Sequence, residues 1–277
     1  MWIRVKSFLV IAAAALVCLY AGCSENSKKG DAGTVRSIVT SDTILSGMIA
    51  SLLPPHRYSV AAMLPAGQCP GHYDVKLSDI EKTKKAVLNV SFRGMPSVDN
   101  AASEAEARLL VDAGGRNWMT PVSYISGLGL LADGLSKRFP EDKVEIMRRK
   151  EETIRTVKTE ANSLMQKITR AAIPGKPVIA SSMQKEPLEW MGLRVVGEYG
   201  RQEAMSAREF VRLSEIGRRQ HAIMVVDNLQ SGPDAGKGIA EALRVPHIVL
   251  TNFPSEKGYL ATLRENVDAV VTAAMRK

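Results

Sequence analysis

Cysteine is nearly absent from this chain, with three among 277 residues, and that scarcity excludes a fold stapled by disulfides. Cys18 lies in an apolar leader and Cys23 directly after it, so Cys69 is the one thiol left for the folded part. Aromatic residues make up only 5%, and no arginine-aromatic interleaving marks a nucleic-acid surface. Gly-x-Ser-x-Gly, His-Glu-x-x-His and phosphate-loop patterns are missing as well, which removes the commonest signatures of esterases, zinc peptidases and nucleotide-binding enzymes.

What the N-terminus holds is an unbroken apolar run over residues 8–20, preceded by Arg4 and Lys6 and followed by Ala21-Gly22-Cys23. Such a run is too short to span a bilayer, for which about 20 apolar residues are needed, and it ends in small residues as a cleavage site does. Residues 1–22 therefore read as a signal peptide. Ala-Gly-Cys resembles a bacterial lipobox, which makes Cys23 the expected lipidation site, although Tyr20 stands where an aliphatic residue is usual. Residues 23–33 are polar and charged, as a tether should be. The formal charge of +8 falls to +6 once the leader is removed, and the basic residues are dispersed, so they read as a solvated surface.

The centre of the chain is a stretch over residues 140–172 with no internal Gly or Pro after Pro140. Glu141 and Asp142 suit the positive end of a helix, Lys167 and Arg170 the negative end, and Pro174-Gly175 stops it. Val144, Met147, Ile154, Val157, Ala161, Leu164, Ile168 and Ala171 draw one apolar stripe. A rod about 45 Å long, with about a hundred residues on either side, can brace two lobes.

Before it, the pattern runs strand (35–40), helix (44–53), strand (58–64), helix from Ser78, strand (86–90) and, past a Gly-rich loop, an apolar helical segment (122–135); after it, strands begin at Pro177, Leu193, Ala222 and His247 with helices between. Strands separated by helices argue for parallel sheets, with ligands expected at the carboxyl ends of the strands. The loop at one such end holds Cys69-Pro70-Gly71-His72. A thiol and an imidazole in a compact turn suit zinc and other late first-row ions, but two ligands do not complete a site. An incidental Cys and His in a Gly/Pro turn is the plainer alternative. Polar strand-end loops at Asp227-Asn228 and Thr251-Asn252 serve equally as helix caps or as ligand contacts. His247, which enters a strand, reads as packed, and Trp118 likewise.

The lipobox, the Pro-x-Gly-x-x-x-x-His-Tyr-Asp loop, the x-x-Trp-x-x-Pro loop, the long helix and the second α/β half together resemble the zinc- and manganese-binding solute proteins of bacterial ABC importers. The resemblance covers residues 35–277. It implies two doubly wound α/β lobes, residues 34–139 and 174–277, joined by a rigid helix over 140–173, with a metal held in the cleft by three histidines and one carboxylate. His72 stands where the first histidine belongs. The second position carries Arg116 with Asn117 beside it, the third falls near Ser181 or Ser182, and the carboxylate near Thr251 or Asn252, so three implied ligands are neither His, Asp nor Glu. The chain is thus similar to a divergent branch, in which Cys69 replaces one ligand and Met183, Gln184, Asn228 or Asn252 supply others, or the cargo is a metal chelate.

The family further implies a transition-metal cargo, zinc foremost with manganese or another ion as alternatives, and no catalysis. It implies an extracytoplasmic site of action, a lipid anchor in the membrane, permease and ATPase subunits as partners, and a monomeric receptor with no nucleic-acid role. Two other readings stay open: an α/β enzyme using Cys69 as nucleophile and His72 as base, and a ligand-free adhesin or scaffold.

Overall fold

The computed structural model describes residues 35–94 and 107–276; the leader, Cys23 and the tether lie outside them. Strands β1 (Arg36–Thr40), β2 (Tyr58–Ala62), β3 (Leu88–Phe92) and β4 (Arg108–Val111) form one sheet in the order β2-β1-β3-β4, and β5 (Pro177–Ser181), β6 (Arg194–Tyr199), β7 (Val225–Asn228) and β8 (His247–Leu250) form a second in the order β6-β5-β7-β8. Every pairing is parallel. No hairpin could connect such neighbours, and eight described helices accompany the strands. They are α1 (Thr43–Leu52), α2 (Leu77–Lys85), α3 (Pro121–Arg138), α4 (Lys143–Arg170), α5 (Lys185–Trp190), α6 (Ala207–Gln220), α7 (Lys237–Leu243) and α8 (Tyr259–Met275).

Local chemistry fixes where these helices start. Asp42 caps α1, its Oδ1 accepting from the amides of Ile44 at 2.9 Å and Leu45 at 3.0 Å, and the helix stops ahead of Pro54-Pro55. Asp42 is wholly buried, and that burial pushes its carboxyl above the usual range despite the hydroxyl of Ser41 and the two amides that oppose the shift. Thr120 caps α3, with Pro121 at its first position.

Helix α4 is continuous over 28 residues, about 42 Å at 1.5 Å per residue. Two details differ from the sequence reading. Pro140–Asp142 form a 3-10 turn ahead of the α-helix, and Val144 is 86% exposed while Ile146 is buried. The cause is an anchor: Arg57 and Tyr58 of the first half both bond the carboxylate of Asp142, the Tyr58 hydroxyl at 2.6 Å, and this sets the rotation of the first turn. Tyr58 is held protonated up to about 12 by burial and by Asp142. Further along, Val157, Leu164 and Ile168 are buried as the stripe predicts.

These α4 side chains join one continuous apolar cluster that takes in Ile38 and Leu45 from the first half and Val178, Val226 and Val267 from the second. Each such side chain contributes about 2 kcal/mol on burial, so the rod is held by both halves at once. The opposite face of the second sheet has its own cluster, in which Ile179, Tyr199 and Val225 meet Leu213 of α6 and Ile239 of α7. Strand β4 and helix α8 are elements the sequence reading does not list. Tyr259, Leu263, Val267, Val270 and Val271 bury one face of α8.

Candidate functional site

The carboxyl ends of both sheets open onto one cleft of about 640 Å³. From the first half come Phe92 at the end of β3, Arg93 just past it, and the loop after β4 with Arg116, Asn117 and Trp118. Gly114 and Gly115 in that loop both sit at positive φ, a turn that side-chain-bearing residues resist. Trp118 is buried with its ring edge-on to Phe92 at 4.8 Å, and it lies directly over Gly127 of α3, where an added methyl would meet the ring at 2.5 Å. The indole therefore packs as the sequence suggests, and it also forms part of the cleft wall.

From the second half come Ser182 and Met183, on the 3-10 turn that follows β5, and Asn252 and Phe253 past β8. Four carboxamides meet here. The Oδ1 of Asn252 accepts from Asn117 Nδ2 at 3.0 Å and from Gln184 Nε2 at 2.8 Å, while Gln184 Nε2 also reaches Asn228 Oδ1 at 2.9 Å. Asn117 Nδ2 donates in addition to the carbonyl of Met183 at 2.8 Å. Gln184 and Asn228 are buried behind the wall, and the Oε1 of Gln184 has no hydrogen-bond partner. Asn117, beside the implied second ligand position, and Asn252, near the implied fourth, are thus brought together with Gln184, but as a neutral amide network. Among the described residues no group of three or more His, Cys, Asp or Glu side chains could hold a metal ion.

Charge in the cleft is uneven. Glu186, at the start of α5, spends its oxygens across the halves: Oε2 accepts from the amide of Asn117 at 2.5 Å, and Oε1 from Ser123 at 2.9 Å and Thr120 at 3.3 Å. Lys185 pairs with Glu198 at 2.6 Å, and that partner raises its pKa. Arg93 and Arg116 line the cleft with no ion pair among the described residues. Arg93, Lys185 and Glu186 escape the sequence reading. The rule that ligands gather past parallel strands is the signal that could have found Arg93, while Glu186 looked like an ordinary acid in a first helical turn.

Cys69 and His72 lie in the loop after β2, at and within a 3-10 turn Pro70–His72, and neither is among the residues lining this cleft. Cys69 is half-buried with Arg201 Nη1 of the second half 3.8 Å from its sulfur, and His72 is exposed. The loop is fixed by Tyr73, which donates to Asp79 at 2.8 Å and whose pKa is pushed up to about 12 by burial. His247 is packed as expected: its Nε2 lies 2.6 Å from the buried Asp227, which also accepts from Tyr199 at 2.7 Å and from the amide of Gly236 at 2.9 Å.

Comparison with known proteins places this architecture. Solved structures that superpose on it include a ZnuA crystal structure, at TM-score 0.71 and 13% identity over 87% of this chain and all of that one. The periplasmic zinc-binding protein TroA from Treponema pallidum matches at TM-score 0.73 and 15% identity, covering 88% of this chain and all of that one. A manganese-bound periplasmic metal-binding protein from Candidatus Liberibacter asiaticus matches at TM-score 0.73 and 14% identity, covering 87% and 100%. At such identities the likeness establishes the fold. A search of curated proteins by sequence finds no match. The sequence itself matches a family pattern over residues 38–273, and the chain belongs to the family described as zinc-uptake complex component A, periplasmic.

Proposed function

We propose that this protein is the extracytoplasmic solute-binding component of a metal importer, which receives a transition metal, free or complexed, in the cleft between its two halves and presents it to permease and ATPase subunits. The observation that carries this is the family match across residues 38–273, together with a cleft assembled from the carboxyl ends of both sheets. Zinc is the first candidate for the ion, with manganese the alternative. The family is one of receptors, not enzymes, and an activated Cys69 would need an orienting group beyond His72. We propose Cys69 and His72, which lie in the loop after β2 and outside the cleft lining, as a separate soft donor pair, and a lipid on Cys23 as the membrane attachment.

Elemental analysis of protein purified without added metal tests the cargo. About one transition-metal ion per chain is expected, accompanied by protection of Cys69 from alkylation that His72→Ala removes. Protein that copurifies with no metal overturns the metal-cargo reading. Full protection surviving in the His72→Ala variant places the ion elsewhere.

A further inference from the structure

We propose that the cleft takes its metal as a carboxylate-bearing organic chelate, an anion, and not as a bare cation. The proposal rests on the receptor reading above and concerns the chemical class of its cargo.

Charge is the first ground. A divalent ion entering the cleft would meet the guanidinium groups of Arg93 and Arg116, neither of which has an acid partner among the described residues. The acid at hand, Glu186, already accepts from Asn117, Ser123 and Thr120. Among the described residues a cation there gains no free anion and meets two exposed guanidinium groups, whereas a carboxylate gains a planar, forked donor from each arginine.

Donor chemistry is the second ground. Asn252 presents a carboxamide whose oxygen already holds two N–H donors, from Asn117 and Gln184. Neutral amides bound to one another are poor ligands for a late first-row ion, which prefers imidazole, thiolate and carboxylate. A metal that keeps its own oxygen donors does not need them from the protein.

Size and lining are the third. The cleft, at about 640 Å³, lies within the range of small-molecule sites, roughly 300–1,000 Å³. Phe92, Trp118, Met183 and Phe253 give it apolar walls that suit a carbon skeleton and would serve no purpose around a lone ion.

Isothermal titration of the purified protein with zinc chloride, zinc citrate and metal-free citrate, the two zinc arms compared at equal free-zinc activity, tests this directly. Zinc citrate is expected to bind at least tenfold more tightly than either other probe. Arg116→Gln and Arg93→Gln should each weaken it at least tenfold, with Arg116→Lys intermediate and the melting temperature of the unliganded variants unchanged. Zinc chloride binding as tightly as zinc citrate, and indifferent to Arg116→Gln, overturns the chelate while leaving the receptor reading intact. Metal-free citrate binding equally well overturns the chelate in favour of a simple organic anion. With no response to any probe, copurifying metal sinks the chelate alone, and the absence of copurifying metal sinks both readings.

Discussion

Asn252 shows how a single residue can decide the character of a site. Its carbonyl oxygen holds Asn117 of the other half and the buried Gln184 together, and its backbone amide donates to Gln230 Oε1 at 3.0 Å. A carboxylate in its place would accept the same two side-chain donors, so the geometry tolerates the exchange, while the cleft gains a negative charge. Asn252→Asp is therefore expected to strengthen bare zinc binding and weaken zinc citrate binding, each at least tenfold by calorimetry. Unchanged affinities for both would remove Asn252 from the binding surface. Asn117 and Gln184 were named in the sequence only through the family resemblance, and Asn252 also through its place past a buried strand. Arg93 was not, because Ser-Phe-Arg-Gly at the end of β3 carries no pattern of its own. Nor could spacing show that Cys69 would face Arg201 of the other half, since that contact depends on how two loops distant in sequence come to pack.

At the scale of elements, α4 is stitched to both halves. Near its start Arg36 pairs with Glu141 at 2.6 Å, and further on Glu160 accepts a forked pair of bonds from Arg264 of α8, at 2.5 and 3.0 Å. The guanidinium holds the Glu160 carboxyl below its ordinary value. A depressed pKa means that the folded state resists protonation more than the unfolded chain does, so the stability from this pair is present above the ordinary carboxylate range and is lost as pH falls through the folded value. Because the pair is partly exposed, it contributes roughly 1 kcal/mol or less. Glu160→Gln should lower urea stability by that amount at pH 7 and by progressively less as pH falls below the ordinary carboxylate range; a loss that does not shrink with falling pH would show that packing, not charge, is responsible. The sequence foretold α4 because its stripe runs for many turns between strong end signals. It misjudged the first turn because the Arg57 and Tyr58 bonds to Asp142 come from the start of β2, far away in the chain. Strand β4 escaped because Arg108-Leu109-Leu110-Val111 is short and largely open to solvent.

For the whole molecule, the two sheets repeat one strand order, and α4 runs between them in the chain. The regular succession of strands and helices made that architecture readable, since parallel strands require crossovers wherever they occur. The proposed membrane attachment falls on residues outside the described part. Among the described residues no helix is long and apolar enough to cross a bilayer. If Cys23 carries a lipid, Cys23→Ala should leave the protein either unprocessed or released from membranes on fractionation; a variant that is cleaved normally and still sediments with membranes refutes the anchor.

The bonds that cross between the halves are made by the chain's own groups. Besides Glu186 and Asn117, the Tyr259 hydroxyl donates to the carbonyl of Met119 at 3.2 Å, the Tyr124 and Tyr259 rings stack at 3.7 Å, and Thr43 donates to the carbonyl of Pro254 at 2.8 Å. A receptor stitched this way works as a socket and not as a spring trap. Its selectivity has to reside in the lining that a plug meets on the way in. A transporter docked against it would have to read the plug itself, by the shape and charge it leaves at the rim, because two halves sewn together have little travel with which to signal that something has arrived.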